Sequence, residues 1–166
     1  MRIIKLGIIS AVLLFLLVTA ISLLLPSTIN ISKAIDINAP VDSVYNNIND
    51  MSRWKNWFVN YDTAQTVISS NPIGKGASII MNRTTVTITA SKRDKITTEW
   101  LSGSNTLDGE FNIIRQNNSS VVTVQWHFIQ HLHWYPWEKF ASIVSDKVMS
   151  PVMEKSLDNL KKVVEK

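Results

Sequence analysis

The 166-residue chain has no cysteine, so it offers neither a disulfide framework nor a thiolate for metal binding or nucleophilic chemistry. It also lacks any concentration of charge of one sign. The formal net charge is +4, but Arg2 and Lys5 precede a long apolar run, and without them 15 basic residues face 13 acidic ones. That is an ordinary solvated surface. A nucleic-acid binder needs its basic residues gathered in a stripe or patch. Only Ser91-Lys92-Arg93-Asp94-Lys95 is locally basic, at what reads as a hairpin tip, so no nucleic-acid partner is expected. Gly74-Lys-Gly76 is too short for a phosphate loop and no Lys-Ser/Thr on a helix follows it. No internal repeat or low-complexity tract occurs after Pro26.

What the chain does have is a 20-residue stretch without a charge, Leu6 to Leu25. At about 1.5 Å per helical residue it covers roughly the 30 Å hydrocarbon core of a bilayer. A cleaved signal peptide has a shorter apolar stretch and a small-x-small site behind it. This run ends in Leu-Leu-Leu-Pro-Ser, which favours an uncleaved anchor. A core helix apolar on all sides would need more protein around it than this chain supplies. Residues 1–28 are therefore read as a transmembrane anchor and residues 29–166 as one domain. Arg2 and Lys5 before the run, against Pro26-Ser-Thr-Ile-Asn-Ile-Ser after it, place the domain on the extracytoplasmic side of the membrane.

Beyond the anchor the hydrophobic period changes twice. Ile29, Ile31, Ile35 and Ile37 share one strand face, interrupted by Lys33, and Asn38-Ala39-Pro40 ends it. Val41, Val44, Tyr45 and Ile48 then fall at helical spacing. Asn49-Asp50 breaks and recaps the chain for a second short helix carrying Met51, Trp54, Trp57 and Phe58. From about Tyr61 to Leu132 the period is two. Val86, Ile88 and Ala90 share a face, as do Ile96, Thr98 and Trp100, then Leu107, Gly109, Phe111 and Ile113, then Val122, Val124, Trp126 and Phe128. Short turn signals separate these runs, which predicts an antiparallel meander of about six strands with one buried face. Ser150-Pro151 reads as a helix start, followed by the stripe Val152, Met153, Leu157, Leu160, Val163 and Val164. Trp137 to Met149 is also helical in pattern, with Pro151 as kink or boundary. The stripe has only the apolar face of the sheet to bury itself against.

Local sequence carries a resemblance. Ile35-Asp-Ile-Asn-Ala-Pro-Val-Asp-Ser-Val-Tyr45, Asp50-Met-Ser-Arg-Trp-Lys-Asn-Trp57, Gly74-Lys-Gly76 and Ser150-Pro-Val-Met-Glu-Lys-Ser-Leu-Asp-Asn-Leu-Lys161 occur in that order. Together they resemble the START-like (SRPBCC) superfamily of polyketide cyclases/dehydrases and lipid-transport proteins. The resemblance covers residues 30–166 and implies an α+β helix-grip fold: a curved antiparallel sheet wrapped around a long C-terminal helix. The residues after Gly76 lack the aromatic often seen in that strand, and the anchor lies outside the family's pattern. The resemblance further implies an apolar cavity between sheet and helix for a lipid or other hydrophobic small molecule. Within the superfamily some members are enzymes and many are carriers or sensors, and fold does not choose among them. A cyclase or hydrolase would work through a polar residue in the cavity, such as Gln130 or Thr98. A third alternative is a protein-interaction or stress-response module.

Trp57, Trp100, Phe111, Trp126 and Phe128 are the candidate ligand-binding residues, because ligand cavities are mainly apolar with a few polar groups. Core packing is the competing role for the same rings. Trp134, Tyr135 and Trp137 could gate a cavity mouth or touch lipid headgroups. His127, His131 and His133 share a strand face, with His131 and His133 about 7 Å apart. They lie opposite the core-facing residues and no orienting carboxylate is evident, so no metal site or cofactor is expected. Glu99, Asp108 and Glu110 point outward, and no catalytic residue is assigned.

Overall fold

The computed structural model describes residues 2–61, 66–103, 105–115, 120–132 and 135–166, with residues 141–144 as backbone only. Its first element, helix α1 (Arg2–Leu23), is long and apolar enough to cross a membrane. A signal sequence near an N-terminus meets the same criterion. Along α1 every residue is exposed except Val18 and Thr19, half-buried, and Ser22, buried.

Seven strands follow among the described residues: β1 (Thr28–Asn38), β2 (Thr66–Ile68), β3 (Ser78–Met81), β4 (Thr84–Lys92), β5 (Lys95–Ser102), β6 (Asn105–Arg115) and β7 (Val121–His131). They form one antiparallel sheet in the order β1-β7-β6-β5-β4-β3-β2. Between β1 and β2 lie helix α2 (Val41–Asn49) and a 3₁₀ helix (Met51–Asn56). Asp50 caps the latter: its carboxylate accepts from the Ser52 backbone N–H at 2.9 Å and the Ser52 hydroxyl at 2.6 Å. The strands alternate as their sequences require. On β7, Val122, Val124, Trp126 and Phe128 are buried while their odd-numbered neighbours are half-buried.

Helix α3 (Pro136–Val164) closes the fold as one continuous element with Pro151 inside it. The helix start therefore lies at Pro136 and not at Ser150-Pro151. Its second half supplies the expected stripe, with Met153, Leu157 and Leu160 buried and Val152, Val163 and Val164 packed beside them. Polar bonds hold that half onto β1: Lys33 Nζ to Glu154 Oε1 at 2.7 Å, Lys161 Nζ to the Asp36 carbonyl at 2.8 Å, and the Asn38 N–H to Glu165 at 2.7 Å. Lys33, the one charge in the isoleucine row, thus serves the helix that covers that row.

One alternation fails. The β4–β5 register shifts between Ile88 and Ala90, so Ala90 pairs with Thr97 and Ser91 pairs with the buried Ile96. This bulge removes Ala90 from the face of Val86 and Ile88 and brings in Ser91. The Ser91 hydroxyl bonds Asn49 Oδ1 at 2.5 Å and the Tyr45 hydroxyl at 2.9 Å, joining the sheet to α2.

Candidate ligand site

The inner face of the sheet is most aromatic where β5, β6 and β7 lie side by side. Register places Phe111 opposite Trp126 and Gly109 opposite both Thr98 and Phe128. Phe111 and Trp126 stack at 4.7 Å and 21°, Trp126 meets Phe128 at 5.2 Å, and Trp100 meets Phe128 edge-on at 5.2 Å. Trp57 reaches the group from the end of the 3₁₀ helix, 6.2 Å from Phe111 and 6.3 Å from Trp126. All five sequence-selected residues thus fall in one cluster. Each is buried, Trp100 being the most exposed at 8%. Two further rings belong to it. Trp54 lies 4.9 Å from Trp57, and Phe58 lies 5.6 Å from Trp100. The helical spacing of Met51, Trp54, Trp57 and Phe58 signalled that both point the same way.

A glycine makes the cluster possible. A side chain at Gly109 would put its Cβ 2.5 Å from Thr98 Oγ1 and 3.0 Å from both Phe128 Cε1 and Trp100 Nε1. The strand alternation aims position 109 inward, and only the absence of a side chain lets the Trp100 and Phe128 rings close over it.

The indole N–H groups are not all alike. Trp54 Nε1 donates to the Ile48 carbonyl at 2.9 Å, Trp57 Nε1 to the Asn47 carbonyl at 3.1 Å, and Trp100 Nε1 to Thr98 Oγ1 at 2.9 Å. Trp126 Nε1 is buried and has no acceptor among the described residues. An unpaired buried donor costs about 1–3 kcal/mol. Thr98 is buried and occupied by Trp100, whereas Gln130, further along the inward row of β7, is half-buried.

The cover over this face is α3. The Val59 N–H donates to Ser156 Oγ at 3.2 Å and Asn159 Nδ2 to the Trp57 carbonyl at 3.3 Å, which fixes the second half of the helix to the segment bearing Trp57 and Phe58. The first half is tied elsewhere. Lys139 Nζ donates to the Leu25 carbonyl at 3.1 Å and to Ser27 Oγ at 3.3 Å, both in the link between α1 and β1.

Two open clefts lie away from the rings. One of about 840 Å³ sits at the far end of the sheet, where Asn38–Asp42, Arg93 and Arg115 converge and Arg93 pairs with Asp42 at 2.6 Å. The other, about 340 Å³, follows Lys33–Ile35 beside Glu154, Leu157 and Asp158. Neither is lined by any of the five aromatic candidates.

On the outer face, His127 does have a carboxylate neighbour, which the sequence alone did not reveal. Register sets Glu110 opposite His127, with Oε1 3.5 Å from His127 Nε2, and Lys95 pairs with the other carboxylate oxygen. Burial pushes the Glu110 carboxyl up. Hydrogen bonds from Lys95 and Asn112 and the nearby charges of His127 and Lys95 outweigh it and hold the group below the usual glutamate value. His131 is exposed, and His133 and Trp134 lie outside the described residues. Among the described residues no group of three or more histidine, aspartate or glutamate side chains is placed to hold a metal ion. Glu99 and Asp108 are exposed, as their alternation requires.

The family model for polyketide cyclase / dehydrase and lipid transport matches residues 28–165. No curated protein matches the chain. Among solved structures, a protein from Nitrosospira multiformis superposes with a TM-score of 0.65 at 16% identity over 82% of this chain and 96% of that one. Norcoclaurine synthase from Thalictrum flavum superposes with a TM-score of 0.66 at 12% identity over 82% and 93%. The di-domain ARO/CYC protein BexL from the BE-7585A biosynthetic pathway does so with 0.64 at 12% identity, over 84% of this chain and 51% of its own length. At these identities the superpositions establish the shared helix-grip architecture.

Proposed function

We propose, for a chain that belongs to the polyketide cyclase / dehydrase and lipid transport family, that its domain binds a hydrophobic small molecule against the aromatic face of the sheet while α1 holds it to a membrane. The observation that carries this reading is Trp126: its buried N–H has no acceptor among the described residues, in a wall of rings whose other indoles all have one. A ligand that is apolar over most of its surface and bears one acceptor oxygen would pair that donor by displacing part of the cover that already buries the rings. Burial of apolar ligand surface supplies roughly 25 cal/mol per Å², so few polar contacts are needed. The rings touch one another and are buried, so binding requires their cover to open.

The experiment is mass spectrometry of the full chain extracted in mild detergent, followed by tryptophan-fluorescence titration with the molecule found. The expected result is one co-purifying hydrophobic compound that quenches tryptophan emission saturably and binds more weakly to Trp126→Phe. A chain that carries no compound, and whose emission is unmoved by a panel of fatty acids, phospholipids and polycyclic aromatic ketones, overturns the proposal.

A further inference from the structure

We infer that the start of α3 is a bilayer-docking ledge, with Trp137 and Phe140 inserted in the interfacial layer of the membrane that α1 crosses. The inference rests on the anchor reading of α1 and adds to it a fixed orientation of the domain.

Depth is the first argument. Helix α3 packs against α1, and the covered residues of α1 are Val18, Thr19 and Ser22, in its last two turns. Lys139, 3% exposed, reaches Leu25 and Ser27 just beyond that helix. The first turn of α3 therefore lies beside residues 22–27, where the apolar run gives out and headgroups begin. Exposure is the second. Trp137 is 62% and Phe140 41% exposed. They are three residues apart and share a helix face, and Trp137 stacks on Tyr135 at 4.8 Å and 9°. Water is a poor solvent for such a surface, whereas amphipathic rings are favoured at headgroup level. Tether length is the third. Only Leu24–Ser27 separate α1 from β1, a span of at most about 14 Å at ~3.5 Å per residue. The far end of that link is fixed as well, because the Leu132 N–H donates to the Ser27 carbonyl at 2.9 Å and Thr28 opens the ladder with His131. The domain can neither drift from the surface nor turn this end away from it.

The chain has no native cysteine, so single-cysteine variants carry an environment-sensitive fluorophore without background. Trp137→Cys, Phe140→Cys, Leu14→Cys and Ile114→Cys are labelled in the full chain. Each is reconstituted in phosphatidylcholine/phosphatidylglycerol vesicles containing lipid spin-labelled either near the headgroup or deep in the acyl chain. Ile114 is the distal control. It is 50% exposed and pairs with Thr123, itself opposite Asp36, eight residues up β1 from Thr28, or about 27 Å at ~3.4 Å per residue. The expected result is deep quenching at position 14 and several-fold stronger shallow quenching at both 137 and 140 than at 114. Quenching at 14 with 137 or 140 no different from 114 overturns the ledge and leaves the anchor standing. No quenching at position 14 overturns both.

Discussion

Gly109→Ala tests the aromatic wall with one methyl group. The new Cβ would sit 2.5 Å from Thr98 Oγ1 and 3.0 Å from Phe128 Cε1 and Trp100 Nε1. None of these neighbours has free room, since Thr98, Trp100 and Phe128 are 2%, 8% and 3% exposed. Thr98 is β-branched and stiff about χ1, and its hydroxyl holds the Trp100 indole. Overpacking of this kind costs about 1–3 kcal/mol. Losing the Thr98–Trp100 bond and orphaning a buried N–H adds about 1–3 kcal/mol. A gain of about 0.4–1 kcal/mol from the stiffer unfolded chain offsets part of this. The net expectation is about 1–5.6 kcal/mol of destabilisation. For a chain of this size, at ~2–4 °C per kcal/mol, Tm falls by roughly 2–22 °C. Thermal unfolding of the full chain in detergent, followed by near-ultraviolet circular dichroism of the coupled indoles, reads the effect. In a Thr98→Ala background the closest clash is gone, and the same substitution should cost at least about 1 kcal/mol less. A Gly109→Ala chain within about 0.5 kcal/mol of the parent, or an equal cost in both backgrounds, refutes the reasoning.

Three further expectations follow from other parts of the fold. Glu110 has a carboxyl held below its ordinary value of 4.5, so its contribution to stability is complete above that pH and fades as pH falls through the lower folded-state value. Glu110→Gln should flatten the stability profile in that acid window and not at neutral pH, measured by urea unfolding across pH. Leu157→Ala, at a fully packed point of the α3 stripe, should lose about 2–5 kcal/mol in the same assay. Asp50→Ala removes the acceptor that caps the 3₁₀ helix and should cost about 1 kcal/mol, while leaving the indole circular dichroism in place.

Much of this architecture was legible because burial leaves a two-residue rhythm in strands. The rows Leu107–Ile113 and Val122–Phe128 could be aligned on one face before any pairing was known, and the five candidate rings did converge. Rhythm fails wherever a single residue is unpaired. The bulge beside Thr89 replaced Ala90 with Ser91 on the inner face, and nothing in Thr-Ile-Thr-Ala-Ser announces it. Pro151 misled as a start signal because proline is usual at a helix's first turn. Here the packing of Met153, Leu157 and Leu160 carries one long helix through it. Partners across the sheet were out of reach for a different reason. Glu110 and His127 are 17 positions apart in the chain and meet only through register. That Trp126 finds no acceptor among the described residues is likewise a property of the surrounding fold, because an indole in a sequence does not say what its N–H will find.

The shortness of Leu24–Ser27 has a consequence for traffic. With α1 as the anchor we propose, a domain leashed so closely could not ferry cargo across a watery gap between two membranes. Under that proposal a hydrophobic ligand would be picked up from, or surrendered to, the leaflet beneath it or a soluble visitor that comes to it. Its beat would then be two-dimensional, set by lateral diffusion in one sheet of lipid.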